Sequence, residues 1–512
     1  MILLVEPISK NIDMYIPAYP LPILEIGSYI KSHLPGLDIK IISIPVDYGL
    51  PLDQKGKEEI YASFLEDVQS MKPSGVGISC TAISQAEEAI HLSEAIKAAD
   101  PNIFVFMGGY FPTLYYEELL SRTSAVDIIV LGEGEPGALR IVSILEKGGD
   151  PLGEEIPNTA YRRGGEIHAN RQPVRVDLST KAPMDLGLLK YPMAYDILPY
   201  SFSRGCPYQC NFCMEEFIRP IRREVPSEVV REDLGRLSKA SNAKTLMVSD
   251  ALFRSFHLFP MLRSLGLKVN FETRSDVMDP SIIPEISNAV GMIALGFESA
   301  SFDTLKRMNK VKDRSHYAKY VGNTVRVFEE AVRNDIPIMI FMIAGYPGDT
   351  EKDLEESLQF VRELSRIKGP GGYVFKIGEC RVYPKTKLYK FAKSLPDVIF
   401  HDNGVFSDNV VTRTSRDLDF EKILAYMEEI FHLSNPTERL QGEILNMMPF
   451  FRLPAKSLKD ASIPECCYRG TGRGVFDARS GSLRAFREAV PALTAKYKKL
   501  MAGERSIRQL DI

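Results

Sequence analysis

Three cysteines, Cys206, Cys210 and Cys213, lie within eight consecutive residues and carry the strongest chemical signal in the sequence. Cysteine thiolates hold four-iron clusters with one thiolate on each iron, and a short loop can supply three of them. The fourth iron is then open to a substrate or a cofactor, like the open position of a catalytic zinc site. The alternatives are three buried structural cysteines or a zinc knuckle, although no fourth Cys or His follows at ligand spacing. The spacing therefore predicts an iron–sulfur cluster with one open iron.

The other four cysteines form no second cluster motif. Seven cysteines in 512 residues are too few and too unevenly spaced for a disulfide framework, and an odd number would leave one unpaired. A reducing cytoplasm is therefore the expected compartment. The adjacent pair Cys466 and Cys467 could ligate a metal, quench a radical or fill space, and the sequence does not distinguish these roles.

The composition is that of an ordinary globular protein with room for about three domains. Lys and Arg together number 63 and Asp and Glu 67, a net charge of −4, so no basic field attracts nucleic acid. The longest apolar run, near residues 337–345, is far shorter than the roughly 20 residues of a membrane span. The N-terminus predicts a buried strand and no signal peptide. We therefore expect a cytoplasmic protein that uses neither nucleic acid nor membrane as a partner.

Residues 1–146 alternate short apolar runs with longer amphipathic stretches, which predicts a parallel sheet covered by helices. Strands are expected at residues 2–5, 39–44, 75–80, 103–107 and 127–131, and helices at residues 24–32, 58–71, 84–98 and 137–146. Ligands of open α/β sheets lie beyond the carboxyl ends of the strands, so a cofactor is expected over that edge. The small or special residues that follow three of the strands are Ser79, Cys80, Thr81, Gly108, Gly109, Gly132, Glu133 and Gly134.

The remaining chain divides into a linker, a partial barrel and a C-terminal region. Residues 147–195 are rich in Gly, Pro and charge, which predicts a linker with a small hairpin. Strands at residues 200–204, 245–249, 268–272, 292–297, 338–343 and 373–377 predict a partial (β/α)6 barrel over residues 196–395, with its site at their carboxyl ends. Residues 396–512 are expected to be mostly helical. Within them, residues 469–512 hold ten basic and four acidic side chains, either a solvated surface or a docking surface for an acidic partner.

The pattern Cys-x3-Cys-x2-Cys, with the aromatic Phe212 before the last cysteine, resembles the signature of the radical S-adenosylmethionine superfamily. The resemblance implies a [4Fe-4S] cluster whose open iron binds S-adenosylmethionine, and an electron donor such as a flavodoxin or a ferredoxin. Carboxylates can accept from an ammonium or from hydroxyls, and an Arg can hold a carboxylate through two contacts, although each acid could equally be a surface ion-pair partner. The residues that the resemblance implies for S-adenosylmethionine binding are Phe212, Asp250, Glu272, Arg274, Glu298 and Ser299. Residues 345–350 are interpreted as a turn and a helix cap.

The first domain is similar to the Rossmann-like or flavodoxin-like cobalamin-binding domains that are fused to many radical enzymes, through residues 75–81, 107–109, 112–113 and 126–135. The resemblance implies cobalamin contacts from the eight residues that follow the three strands. Alternatives are a dinucleotide-binding domain, which lacks its Gly-x-Gly-x-x-Gly pattern here, and a domain that keeps only the fold. His33 follows Lys31 where the family's cobalt-binding motif has Asp, so cobalamin without a His on its lower face is expected.

Together the resemblances imply a cobalamin-dependent radical S-adenosylmethionine methyltransferase that methylates an unactivated carbon through methylcobalamin and a 5′-deoxyadenosyl radical. The alternatives are a non-methylating rearrangement or cyclisation, and a carrier or sensor without catalysis. A peptide or protein side chain is the expected substrate, with a small biosynthetic intermediate as the alternative. The methylated atom, the catalytic acid or base and the oligomeric state do not follow from the sequence.

Overall fold

The computed structural model describes residues 1–9, 18–49, 54–172, 174–195, 197–400, 404–406, 409–435, 437, 439–440 and 443. These residues form two α/β units, followed by a small antiparallel sheet and a helix. The predicted fold class, an α/β first domain and a partial barrel of parallel strands, is confirmed.

The first sheet has seven strands: β1 (Ile2–Glu6), β2 (Ile39–Ser43), β3 (Gly75–Ser79), β4 (Phe104–Gly108), β5 (Ile128–Val130), β6 (Thr159–Arg163) and β7 (Glu166–Asn170). Their order across the sheet is β2-β1-β3-β4-β5-β6-β7. The first five run parallel, and β6 and β7 are antiparallel additions at one edge. Residues 147–195 are therefore more than a linker, because the predicted hairpin pairs with β5 and extends the sheet.

The helices of this unit are α1 (Leu21–His33), α2 (Ile44–Asp47), α3 (Gln54–Met71), α4 (Ile83–Ala99), α5 (Tyr110–Arg122) and α6 (Gly134–Glu146). Helix α5 was not predicted. It includes Pro112 and bends at Tyr115, whose φ of −125° and ψ of 34° are not helical. This interruption hides the helical periodicity of the segment.

Hydrophobic cores lie on both faces of the first sheet. Side chains of α3, α4 and α5, such as Phe64, Leu92 and Leu119, fill the core on one face. On the other face, Leu24 of α1 and Ile141 of α6 belong to a core that continues into the barrel. The two α/β units therefore share buried apolar surface.

The second unit contains β8 (Ile197–Tyr200), β9 (Ser203–Arg204), β10 (Arg223–Glu224), β11 (Thr245–Val248), β12 (Lys268–Arg274), β13 (Val290–Glu298), β14 (Ile338–Ala344) and β15 (Tyr373–Glu379). Six of them form one parallel sheet in the order β15-β14-β13-β12-β11-β8. The first barrel strand, predicted at residues 200–204, ends earlier, because Ser203 and Arg204 pair with β10 in a separate two-stranded sheet.

The helices around the barrel are α7 (Glu215–Ile218), α8 (Ser227–Ala240), α9 (Phe259–Ser264), α10 (Ile283–Ile286), α11 (Phe302–Arg307), α12 (Arg314–Arg333), α13 (Glu351–Leu364) and α14 (Lys387–Ser394). Strand residues such as Leu295 and Phe375 pack outwards in the core that these helices share. The alternate residues of the same strands face the barrel interior.

After residue 396 the described chain forms β16 (Ile399–Phe400), β17 (Val411–Ser415), β18 (Leu418–Asp419) and α15 (Phe420–His432). This part of the predicted helical region thus contains a three-stranded antiparallel sheet besides its helix. Cys466, Cys467 and residues 469–512 lie outside the described residues. Across the ranges that are described, no helix has the length and apolar character needed to cross a bilayer.

Candidate active site

The cysteine loop begins directly after β9, where Gly205 turns the chain with a φ of +88°. A Cβ atom on Gly205 would lie 2.3 Å from the carbonyl oxygen of Ile221 and 2.7 Å from that of Arg219. The amide of the next residue, Cys206, donates to the carbonyl of Arg219 at 3.1 Å. A glycine is therefore required at this entry to the loop.

Hydrogen bonds from distant segments hold the middle of the loop. The amide and side-chain nitrogens of Asn211 donate to the carbonyls of Met308 and Arg307, at 3.0 and 2.7 Å. The carbonyl of Asn211 accepts from the amide of Leu388 at 2.9 Å, and Asn309 donates to the carbonyl of Gln209 at 2.7 Å. These hydrogen bonds hold the middle of the loop against α11 and α14.

The three thiols are partly exposed and close enough to influence each other electrostatically. Burial, with the neighbouring thiols adding to it, raises the pKa of Cys206 and raises that of Cys213 to about 11. Within the described chain, no three His, Cys, Asp or Glu side chains converge as ligands of a single metal ion. A four-iron cluster instead takes its thiolates on separate irons, and three soft donors on one short loop fit such a cluster.

Arg274, at the end of β12, contacts this loop directly. Its guanidinium donates to the Sγ of Cys210 at 3.4 Å and lies 3.8 Å from the ring centre of Tyr208. The same group makes a two-pronged ion pair with Asp276, at 2.9 Å for each contact. Arg274 thus supports the loop with positive charge, and the contact with Asp276 uses the fork that was predicted to hold a carboxylate of S-adenosylmethionine.

Glu298, at the end of β13, has a φ of +75° in a place where the pairing with β14 is irregular. Its carboxylate accepts from the ammonium of Lys310 at 2.9 Å. Lys310 is buried and also donates to the carbonyl of Gly296 at 2.8 Å. Burial lowers the pKa of Lys310, but the Glu298 carboxylate outweighs it, so the pKa is raised overall.

Glu272 and Lys376 face the barrel interior. The register places Glu272 beside Ala294, and Lys376 beside Phe341, on the side opposite the outward core. Glu272 is solvent-exposed, yet desolvation raises its pKa, partly offset by Lys376. Desolvation in turn lowers the pKa of Lys376, whose ammonium lies 5.2 Å from the ring centre of Phe341. The barrel interior therefore carries a carboxylate on β12 and an ammonium on β15.

The remaining predicted S-adenosylmethionine residues are occupied by protein contacts. Asp250 is buried, and it accepts from the amide of Phe202 at 2.7 Å and the hydroxyl of Ser203 at 2.5 Å. Burial raises its pKa to about 6, against the effect of these hydrogen bonds. The buried hydroxyl of Ser299 lies 3.2 Å from that of Ser357 on α13, and Phe212 packs against the core. Asp250 thus holds Phe202 and Ser203, which precede the cysteine loop.

The predicted cofactor edge of the first sheet lies at the carboxyl ends of β3, β4 and β5. Gly109 has a φ of +122°, and a Cβ there would lie 2.3 Å from the carbonyl oxygen of Cys80. By contrast, a Cβ on Gly132 would have no atom within 4 Å. The backbone is therefore closely packed at Gly109 and open at Gly132. Open backbone suits the close approach of a large ligand such as a corrinoid.

Side chains along this edge are mostly engaged locally. The thiol of Cys80 is buried in the core, and burial raises its pKa. The hydroxyl of Thr81 donates to Gln85 at 2.9 Å, and the hydroxyl of Ser79 is largely buried. The amide of Gly132 donates to the hydroxyl of Thr113 at 2.9 Å. Contacts with a cofactor here would rely mainly on backbone groups.

Glu133 differs from the other predicted edge residues, because its carboxylate points into the boundary between the two units. It accepts from Arg223 of β10, lies 3.5 Å from Arg204 of β9 and accepts from the amide of Val176 at 2.9 Å. Sequence reasoning missed these partners. The available signal was the single charge of Arg204 directly before Gly205, after residues 197–203, which carry no charge.

The two candidate sites meet at Tyr110, the residue that follows Gly109. Its hydroxyl donates to Glu215 at 2.8 Å, and Glu215 lies two residues beyond Cys213. The guanidinium of Arg219 lies 4.9 Å from the Tyr110 ring centre and 3.1 Å from Glu215. The cofactor edge of the first sheet thus adjoins the cysteine loop.

Two family models match the chain. One, described as a B12 binding domain, matches residues 20–142, and the other, described as the radical SAM superfamily, matches residues 200–361. The first match covers the glycine edge and the second covers the cysteine loop.

Curated relatives resemble part of the chain. The anaerobic magnesium-protoporphyrin IX monomethyl ester cyclase of Rubrivivax gelatinosus is 28% identical over 321 residues, covering 58% of this chain and 56% of that protein. The hopanoid C-3 methylase of Methylococcus capsulatus is 25% identical over 326 residues, covering 60% of each. The chain therefore spans less than two thirds of the length of these two relatives.

One solved structure matches nearly the whole chain. It is a radical S-adenosylmethionine methyltransferase from Kitasatospora setae with cobalamin and a [4Fe-4S] cluster bound. The TM-score is 0.66 at 14% identity, and the match covers 90% of this chain and 99% of that one. At this identity the likeness concerns the fold.

Proposed function

Because this chain belongs to the radical S-adenosylmethionine enzymes that carry a B12-binding domain, we propose that it is a cobalamin-dependent methyltransferase. The observation that carries the proposal is the contact between its two candidate sites, in which Tyr110 beside Gly109 donates to Glu215 beside the cysteine loop. Two cofactors that act on one substrate must be held close to one another, and this contact supports such an arrangement.

When bound, cobalamin carries the methyl group, and the cluster with S-adenosylmethionine supplies the one-electron chemistry that removes a hydrogen atom from the substrate. Cys206, Cys210 and Cys213 would hold the cluster through their thiolates. Arg274 would hold the middle cysteine in place by donating to its sulfur.

The S-adenosylmethionine contacts are part of the proposal. Glu272 and Glu298 would accept from its hydroxyls or ammonium, and Phe212 would pack beside it. Asp250, Arg274 and Ser299 already bind protein groups, so they would act mainly by keeping the surrounding backbone in place.

Cobalamin would lie along the edge formed by the residues after β3, β4 and β5. Gly108, Gly109, Gly132 and Gly134 would admit it to the backbone, while Ser79, Cys80, Thr81 and Glu133 would contribute chiefly through main-chain groups. No His is assigned to the lower face of cobalt.

The finer assignment is methylation of an unactivated carbon in a peptide or protein side chain, or in a small biosynthetic intermediate. The charged interior walls, Glu272 and Lys376, support a substrate with polar groups. A flavodoxin or ferredoxin would deliver the electron. Cyclisation or rearrangement is the second candidate, favoured by the cyclase among the relatives.

The test is anaerobic reconstitution of the full chain with iron, sulfide and hydroxocobalamin, followed by metal analysis. We expect about four irons and one cobalt per chain. The triple variant Cys206→Ala, Cys210→Ala, Cys213→Ala should lose the iron, while Cys380→Ala, a buried cysteine outside the loop, should keep it. Methylation of a candidate substrate then adds one CH2 unit to its mass. Iron without cobalt would overturn the methyltransferase assignment.

A further inference from the structure

A buried ion-pair network crosses the boundary between the first domain and the barrel, with Arg204 at its centre. The Arg204 guanidinium lies 3.0 Å from Glu25, 3.5 Å from Glu133 and 2.5 Å from Glu135. All three carboxylates belong to the first domain, whereas Arg204 belongs to β9 of the barrel unit. One side chain thus contacts three acids of the opposite domain.

Further charges from the segment before the barrel and from the barrel itself complete the network. Lys181 lies 3.3 Å from both Glu25 and Asp233, and Arg223 pairs with Glu133. Four acids therefore surround three bases. The side chains of Arg204, Glu133 and Glu135 are each 5–6% exposed. Burial alone would raise the pKa of Glu25, but Arg204 and Lys181 lower it overall.

The network joins the two candidate sites through their backbones. Glu133 and Glu135 flank Gly134, the first residue of α6, next to the cofactor edge. Arg204 directly precedes Gly205, where the cysteine loop begins. A displacement of residues 132–135 therefore changes the contacts of Arg204, the residue directly before the turn at Gly205.

Stability alone is a poor reason for such a network. Desolvation of buried ions offsets much of their attraction, so buried ion pairs contribute little net stability compared with apolar side chains. Separating the partners is costly, however, because it leaves a buried charge uncompensated. A three-acid contact by one planar guanidinium is also geometrically demanding.

We propose that Arg204 is a positioning residue that couples the cobalamin edge to the cluster loop, so that binding at one site strengthens binding at the other. This inference rests on the proposed function for the identity of the two ligands. Ordering of residues 132–135 by one ligand lowers the entropy cost of ordering the cluster loop for the other. Because linkage is reciprocal, the factor must be the same in both directions.

The first test needs neither cofactor. Hydrogen exchange of the full chain is compared between wild type, Arg204→Gln and Lys57→Gln. Lys57 makes a similarly short ion pair, 2.6 Å from Glu88, inside the first domain. Arg204→Gln should speed exchange at residues 132–135 and 205–213 by about tenfold, and Lys57→Gln should not. Equal exchange in all three proteins would overturn the coupling without touching the proposed function.

The second test measures the Kd of hydroxocobalamin with and without the assembled cluster. In wild type the cluster should tighten cobalamin binding by about fivefold or more. In Arg204→Gln, with three cysteines and full iron content, that factor should fall to about one, and Arg204→Lys should recover part of it. The lysine variant keeps the charge if the glutamine variant fails to fold.

The outcomes separate the two proposals. Unchanged cobalamin affinity with and without the cluster in wild type contradicts the coupling. If the coupling factor persists in Arg204→Gln, other residues carry the coupling, and this result also overturns the inference. A wild-type chain that binds no hydroxocobalamin removes the proposed function itself, while the exchange experiment still decides whether Arg204 joins the two loops.

Discussion

The cysteine loop and the cofactor edge of the first sheet are built in opposite ways. The loop carries its chemistry on three side chains within eight residues, and hydrogen bonds from backbone and asparagine side chains hold it. The edge offers mainly backbone from three separate loops, and part of it is held from across the domain boundary by Arg204 and Arg223. A local side-chain site is visible in the sequence, whereas a site made of main chain depends on contacts between distant residues.

This contrast predicts that glycines matter at both sites for different reasons. Gly205→Ala should have the largest effect, although all three cysteines remain. Its Cβ would lie 2.3 Å from the Ile221 carbonyl oxygen in a backbone conformation that costs a non-glycine residue about 1–3 kcal/mol. Iron content after anaerobic reconstitution should fall about tenfold or more.

The matched control is Gly235→Ala, in α8, where a Cβ meets no atom within 4 Å. This variant should bind iron like the wild type. Full iron content in Gly205→Ala would show that the cysteines bind the cluster without help from the backbone turn. The cysteine loop would then not depend on a glycine.

Gly109→Ala should have a smaller effect, confined to the first domain. The added Cβ would lie 2.3 Å from the Cys80 carbonyl oxygen and push β3 and β4 apart at the edge. Hydroxocobalamin affinity, measured by equilibrium dialysis, should weaken by about tenfold, with the iron content unchanged. Gly36→Ala, in open space, is the control. Loss of iron together with cobalamin would mean that the edge and the loop are one site.

Glu6→Gln should have the smallest effect, a change in how the free energy of unfolding depends on pH. Glu6 ends β1 and accepts from Ser43 at 2.6 Å. Burial, with a contribution from Asp47 and against the Ser43 hydrogen bond, raises its pKa to about 7. The folded chain therefore holds a proton that the unfolded chain releases between the ordinary carboxyl pKa and pH 7. The free energy of unfolding should fall as pH rises through this window and level off above it.

Thermal unfolding from pH 4.5 to 8 measures this dependence. In Glu6→Gln, which keeps an oxygen acceptor for Ser43, the fall in Tm with pH should be shallower. The exposed Glu59→Gln should follow the wild type. Parallel curves for wild type and Glu6→Gln would show that Glu6 contributes no proton linkage to folding.

Most of the fold was predictable, because parallel strands of an α/β unit are continuous apolar runs that end in small or polar residues. Gly75–Ser79 is buried at every position, and its ends were predicted within one residue. The cysteine loop was equally accessible, since a cluster motif is local. The actual ligands of the site residues remain predictions.

The parts that escaped prediction depend on distant partners. Helix α5 was hidden by its kink at Tyr115. The hairpin of β6 and β7 was expected, but its pairing with β5 depends on tertiary contacts that no local pattern encodes. Arg204 meets its acids across sequence separations of 69 to 179 residues, which no local pattern encodes. Lys376 could have been found by noting that it shares a strand face with Gly378 inside the barrel.

The shared core under α1 and α6 has a consequence for modularity. Leu24, Ile30 and Ile141 are buried in the same apolar cluster as the barrel residues Leu198 and Leu246. A barrel expressed without residues 1–146 would expose this apolar surface to water. A first domain joined to another barrel would expose the apolar side chains of α1 and α6 unless that barrel packed against them. The portable unit for engineering is therefore the pair of domains with their common boundary, and exchange between relatives must carry both sides of it together.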